Sequence, residues 1–271
     1  MKASMNRTRI AAVVLRIFYL YRGSPQRVFP IFVWVVVDIL LWGFLTRYLN
    51  SVARAEVNFI ASLLGAVLLW DFLTRVMQGV TMAFFEDVWS RNFLNYFATP
   101  LRMSEYLAGL ILTAVSSSMI SLIVMVTFAR FAFGLSFLSY GLALAPFLAV
   151  LFLTGIARGV AAAALGLRLG PASEWLIWPI PTIVSPFAGV FYPVTILPGW
   201  MQAIAALLPP SYVFEGMRAI VAGEPAPWDR LVLGGGLAMG YLALACLFFI
   251  SVYRTAIRTG LIARYSAETL S

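Results

Sequence analysis

The chain has 271 residues, of which 62% are hydrophobic and 11% charged, with a mean hydropathy of +0.93. Soluble domains carry roughly 25% charged residues, so the composition excludes a soluble globular protein and points to one that crosses a membrane several times. The net charge of +8 comes from cations at the ends of apolar runs, which suits anionic lipid better than nucleic acid, and the absence of histidine removes the usual zinc sites and Ser-His or Cys-His nucleophile pairs.

Residues 1–27 are basic, but Arg16 interrupts their apolar part and no small-residue cleavage site follows, so they do not read as a secretory signal. Ile10, Val13, Val14, Ile17 and Tyr21 form one helical stripe, with Arg9 and Arg16 seven apart on another face. The pattern predicts a helix lying on the membrane surface. Residues 28–49 are long enough for a first span and 57–83 for a second. Between the second and third spans lies FFEDVWSRNFLNYFATP, residues 84–100. At helical spacing Phe85, Val88, Trp89, Phe93, Tyr96 and Phe97 share a face, while Glu86, Asp87, Ser90, Arg91 and Asn95 fall largely elsewhere. This predicts a short amphipathic helix over 84–98 along the membrane surface. Thr99 as a cap and Pro100 as a first-turn proline then start the next helix.

The third and fourth spans are expected at 101–131 and 141–167. The fifth, 175–192, contains Pro179, Pro181 and Pro186, so it should be kinked or locally unwound. Residues 193–223 are moderately apolar but broken by Pro198-Gly199 and Pro209-Pro210, which predicts two short helices dipping into the outer leaflet. A sixth span is expected at 231–253. The expectation is an all-α polytopic membrane protein with six transmembrane helices in a single domain. Placing both termini in the cytoplasm puts twelve of the nineteen Lys and Arg residues inside and five outside, with Arg75 and Arg158 within spans. That bias sets the orientation and puts residues 84–98 in the cytoplasm.

This layout resembles the membrane subunit of a bacterial ABC transporter of the type-2 exporter class, whose fold is often called type V. The resemblance covers nearly the whole chain. It is carried by the surface helix before the first span and by RNFLNYFATPLRMSEYLAG (91–109), similar to the family's cytoplasmic segment ending in a small residue and Pro-Leu. The third element is GVFYPVTILPGWMQAIAALLPPSYVFEGMRAIVAG (189–223), similar to the family's aromatic-Pro, Leu-Pro-Gly-Trp, Leu-Pro, Tyr and Glu-x-x-Arg pattern before the last span. Many relatives carry a glutamate shortly before the Pro-Leu; here that place reads Leu94-Asn95, and the nearest upstream acid is Asp87.

The resemblance implies a permease in the bacterial inner membrane, built from two membrane subunits, here a homodimer, and two ATP-binding-cassette ATPase subunits. ATP and Mg²⁺ would sit on the partner ATPase, with no cofactor on this chain, since it lacks a G-x-x-x-x-G-K-[ST] loop. Phe85, Glu86, Trp89, Arg91, Phe93 and Tyr96 would then form a coupling helix that passes ATPase movement to the spans. The implied activity is export of an amphipathic substrate, with a lipid-linked glycan, glycolipid or lipid favoured over a hydrophobic drug or natural product.

Charges inside spans are costly in lipid, so Asp38, Asp71, Arg75 and Arg158 are candidate site residues. Asp71 and Arg75 are one turn apart and can pair. The four sum to zero charge and either hold spans together or contact a charged substrate or gate. Gly155-x-x-x-Gly159, continuing to Ala163, gives the fourth span a small-residue face suited to close packing. Ser116, Ser117, Ser118 and Ser121 either line a cavity or bond back to their own helix. Tryptophans on the first and fifth spans are an interfacial belt or a stacking path for sugar or lipid. Pro198, Trp200, Tyr212, Glu215 and Arg218 form a candidate outer gate, with Glu215 and Arg218 one turn apart.

Two rival classes fit less well. An intramembrane protease would want histidine, and the one adjacent acid pair, Glu86-Asp87, lacks the partners of a transferase site. An ion-coupled secondary carrier would use the buried charges but leaves the amphipathic segment unexplained, and no internal repeat is visible.

Overall fold

The structure is a computed structural model that describes residues 6–52, 60–90, 99–170 and 173–260. It is 85% helical, with no strand among the described residues. Helix α1 (Arg7–Arg22) begins at Asn6, whose side chain accepts the Thr8 N–H, and ends at Gly23. Helix α2 (Pro25–Val52) follows. A π-helical turn (Ile60–Leu64) leads into α3 (Gly65–Trp89), and α4 spans Met103–Phe133. A 3₁₀ stretch (Phe137–Ala143) precedes α5 (Leu144–Leu169). Two one-turn helices, α6 (Glu174–Ile177) and α7 (Ile180–Val184), are followed by α8 (Gly199–Leu207), α9 (Pro209–Val221) and α10 (Trp228–Thr259).

Five helical stretches among the described residues are long and apolar enough to cross a membrane: Val33–Val52, Ser62–Trp89, Met103–Phe133, Tyr140–Leu169 and Trp228–Thr259. The region expected as a fifth span is not one continuous helix. A proline has no N–H and clashes with the carbonyl four residues back, and Pro179, Pro181 and Pro186 divide this stretch into α6, α7 and turns. Helical bonds persist across the breaks, from Ile183 N–H to the Pro179 carbonyl (2.9 Å) and from Ser185 N–H to the Pro181 carbonyl (2.9 Å).

Helix α3 is the most buried of the five and packs on both α5 and α4. The α3–α5 approach is set by glycine. A Cβ on Gly155 would lie 2.7 Å from Val76 Cβ and 2.9 Å from the Leu73 carbonyl oxygen, and one on Gly159 would lie 2.7 Å from Val80 Cβ. In lipid the drive for helix association is close packing of this kind, so the missing side chains decide which helices meet. Helix α5 also makes its most extensive contact with α10.

Two expected boundaries move. Residues 84–89 do not begin a separate surface helix; they are the last turns of α3, which ends at Ser90. No glycine or proline interrupts 80–89, and Phe84, Phe85 and Val88 are buried, the two phenylalanines against Gly166 of α5. The remainder of the expected helix, residues 91–98, lies outside the described residues. Helix α4 begins at Met103 and not at Pro100, because Glu105 reaches back to accept the Arg102 N–H (3.0 Å) while Thr99 Oγ1 accepts the Leu101 N–H at a longer 3.4 Å.

Candidate substrate cavity and its two ends

A cavity of about 710 Å³ lies along the face of α3 turned away from α5. Its α3 wall runs from Asp71 to Trp89, about 27 Å at 1.5 Å per residue, close to the thickness of bilayer hydrocarbon. The remaining walls come from α1, from Trp34 and Asp38 of α2, from Ser117, Ser118 and Ser121 of α4, and from Trp178.

Three of the four intramembrane charges meet here. Arg75 Nε donates to Asp71 Oδ2 at 2.7 Å, and Arg75 Nη2 lies 3.8 Å from Asp38 Oδ2, beyond hydrogen-bond reach. The Asp38 side chain is 39% exposed. Arg158, expected with them, is elsewhere. Successive helix residues turn by 100°, so Trp70 and Asp71 face different neighbours, and Arg158 meets Trp70. Its guanidinium stands 5.4 Å from the Trp70 ring centroid, and its buried Nη1 has no hydrogen-bond partner among the described residues.

The serines divide as well. Ser116 Oγ donates to the Leu112 carbonyl and Ser117 Oγ to the Ala114 carbonyl, whereas Ser118 Oγ is buried in the cavity wall without a partner among the described residues. Trp34 and Trp178 line the cavity, while Trp42 stacks on Phe191 with ring centroids 5.4 Å apart.

At the α1 end a set of contacts appears that the sequence reading did not single out. Asp87, assigned there to a polar surface, is only 1% exposed; the Arg16 guanidinium pairs with it and Tyr106 OH donates to its Oδ2 at 2.7 Å. Glu105, equally buried, accepts from the Asn6 N–H at 2.9 Å and pairs with Arg9 Nη1 at 3.4 Å. Arg9 Nη1 also donates to the Pro100 carbonyl at 2.6 Å. The seven-residue spacing of Arg9 and Arg16 is the available signal: it puts two cations on one side of α1, two turns apart, facing two acids. Of the expected coupling residues, Phe85 is buried and stacks on the half-exposed Trp89 at 5.8 Å, and Glu86 lines the cavity. Arg91, Phe93 and Tyr96 lie outside the described residues.

At the opposite end, Glu215 Oε1 accepts from Arg218 Nη2 (2.8 Å) and from the Val194 N–H (2.8 Å). Arg218 Nη2 also donates to the Gly189 carbonyl (2.5 Å). The pair therefore ties α9 to the loop before α8, where Gly189 has φ +66 and a Cβ would lie 2.8 Å from Val194 Cγ2. Pro198 caps α8, its carbonyl accepting from the Met201 and Gln202 N–H groups. Trp200 is exposed beside Phe187, and Tyr212 OH donates to the Ala206 carbonyl at 2.7 Å.

A bundle of long apolar helices with a long mixed cavity and α1 clamped at one end of it is the setting in which the sequence match is decisive. Residues 10–222 match the ABC-2 type transporter family. The chain belongs to that family. It is the permease subunit of an ABC-2 type transporter, a multi-pass membrane protein whose family membership implies an ABC ATPase partner. No sequence among curated proteins matches the chain.

Proposed function

We propose that this ABC-2 permease is the membrane half of an ATP-driven exporter that carries an amphipathic substrate out through the cavity along α3. The supporting observation is the cavity itself: nearly as long as a bilayer core is thick, it is lined by tryptophans as well as by Asp38, Asp71 and Arg75. A lipid, glycolipid or lipid-linked molecule has both an apolar body and a polar head for such a wall. In this reading the α1 end faces the cytoplasm, both termini are cytoplasmic and the membrane is the bacterial inner membrane. Two copies of the chain work with two ATPase subunits, which hold ATP and Mg²⁺. Residues 84–98 couple them, and movement of α3 reaches α1 through the Arg16–Asp87 pair. The Glu215–Arg218 tie, with Pro198, Trp200 and Tyr212 around it, serves as the outer gate.

The test is tagged purification in mild detergent from the native host, with mass spectrometry of what accompanies the chain. The expected result is an ATPase near one copy per permease, lost when Glu86→Lys and Arg91→Glu are combined. Recovery of the chain alone, with transport insensitive to nucleotide, would overturn the reading and favour an ion-coupled carrier.

A further inference from the structure

We propose that the cavity selects amphipathic cations, molecules with a protonated amine or quaternary ammonium on an apolar body, and disfavours anionic lipids and phosphate-linked glycans. The proposal rests on the reading of this cavity as the substrate path, and it narrows the substrate.

The first support is the charge on the wall. Among the described residues, Asp71 and Asp87 line the cavity beside the guanidiniums of Arg75 and Arg16, and Asp38 adds a carboxylate that shares Arg75 with Asp71. The sequence alone allowed a neutral set, because Arg158 seemed available to balance the second aspartate. Its place over Trp70 takes that charge off the wall. Of the two mid-membrane aspartates, Asp71 is held by Arg75 at 2.7 Å, and Asp38 has the same arginine only at 3.8 Å, with its side chain 39% exposed. A carboxylate so placed has acceptor sites for a cation that enters. An anion would meet it with no unshared guanidinium among the described residues of the wall, and in low dielectric that repulsion is large.

The second support is aromatic. Trp34, Trp89 and Trp178 line the cavity with exposed rings, and tryptophan faces attract organic cations, most strongly where water is excluded. The third is Ser118, 2% exposed, whose Oγ has no partner among the described residues although a helical serine ordinarily bonds back to its own turn. An unpaired hydroxyl in this wall is a site for the N–H or hydroxyl of a substrate head.

The experiment uses the full chain in lipid nanodiscs at pH 8, with equilibrium binding of tetraphenylphosphonium and of tetraphenylborate. These probes share shape and apolar surface and differ in the sign of a permanent charge. Empty nanodiscs are subtracted for partition into lipid. The expected result is saturable binding of the cation at least about tenfold tighter than the anion. Asp38→Asn should weaken it by about tenfold or more, and Asp38→Glu should restore it to within about threefold. Trp34→Ala should weaken both probes. Glu86→Gln tests the charge at the far end of the cavity if Asp38→Asn fails to give folded protein, and it should weaken the cation alone. If the anion binds as tightly as the cation and Trp34→Ala weakens both, the cavity stands as the path and the charge selection is overturned. If neither probe shows binding that depends on Trp34, the cavity reading falls and the selection with it.

Discussion

A carboxylate as deeply placed as that of Asp87 costs several kcal/mol to remove from water, and only close cations and donors offset this. Asp87 has both, the Arg16 guanidinium and the Tyr106 hydroxyl. The ion pair therefore makes the docking of α1 and the ionisation of Asp87 conditions of each other. Arg16→Ala takes the guanidinium away from a buried carboxylate and should cost about 3–5 kcal/mol, read as a lowered midpoint of thermal unfolding in detergent. Arg9→Ala should cost about 1 kcal/mol, because Glu105 keeps the N–H groups of Asn6 and Arg102. Equal losses would show that α1 is held by its apolar face and not by the Asp87 pair. Arg158 is the opposite case: among the described residues, a buried cation with a donor left over. Arg158→Met keeps the stem packed against Trp70 and removes the unpaired donor, so the same assay should show an unchanged or raised midpoint, by up to about 2 kcal/mol. A marked fall would mean that the guanidinium has a structural partner after all.

Among the elements, α3 carries the argument, since one face packs on α5 and another lines the cavity. Gly159→Leu would drive a side chain into Val80 and the Met77 carbonyl, whose oxygen would lie 2.8 Å from the new Cβ. Over-packing of this kind costs about 1–3 kcal/mol or more where the neighbour is backbone, and the expected readout is loss of the monodisperse peak in size-exclusion chromatography. The corresponding change at Gly236 of α10, where a Cβ meets nothing within 4 Å, should leave the peak intact. The proline breaks and the short helices after Pro198 and Pro209 were legible in the sequence, because each is a local effect of one residue on its own backbone, and the glycine face was legible from its four-residue spacing, although the helix it meets was not. The direction of residues 84–89 was not. Aromatic periodicity shows that a helix has an apolar face, and it is the same whether that face lies on lipid or, as here, against Gly166 of a neighbouring helix. The partners of Asp87 and Glu105 were hidden for another reason. Their arginine partners, Arg16 and Arg9, lie 71 and 96 residues away along the chain, and spacing reports only neighbours within an element.

For the whole molecule, the two ends of α3 are flanked by different ties, ion pairs to α1 near Asp87 and, beside α9 near the start of α3, a glycine-dependent tie. The mid-membrane charges lie between them. Composition and hydropathy were enough to read the membrane bundle; the side of each helix that faces the cavity depends on packing between helices far apart in sequence, and Arg158 was misplaced for that reason. If the two ends of the cavity open in turn, a residue halfway along the wall should change its exposure with the state of the ATPase. Gln78 is such a residue, on the cavity face of α3 between Arg75 and Met82. With Cys246, the one native cysteine, replaced by serine, Gln78→Cys should react with a membrane-impermeant maleimide applied from the α1 side in the nucleotide-free complex. Trapping the ATPase with a non-hydrolysable nucleotide should slow that reaction by about fivefold or more, since a population shift from one-to-nine to nine-to-one is well within the reach of a bound nucleotide. Trp200→Cys, in the exposed segment at the other end, should change in the opposite sense when the reagent is applied from the far side. Rates that ignore nucleotide at both positions would leave a static groove, and alternating access through this cavity would then be wrong.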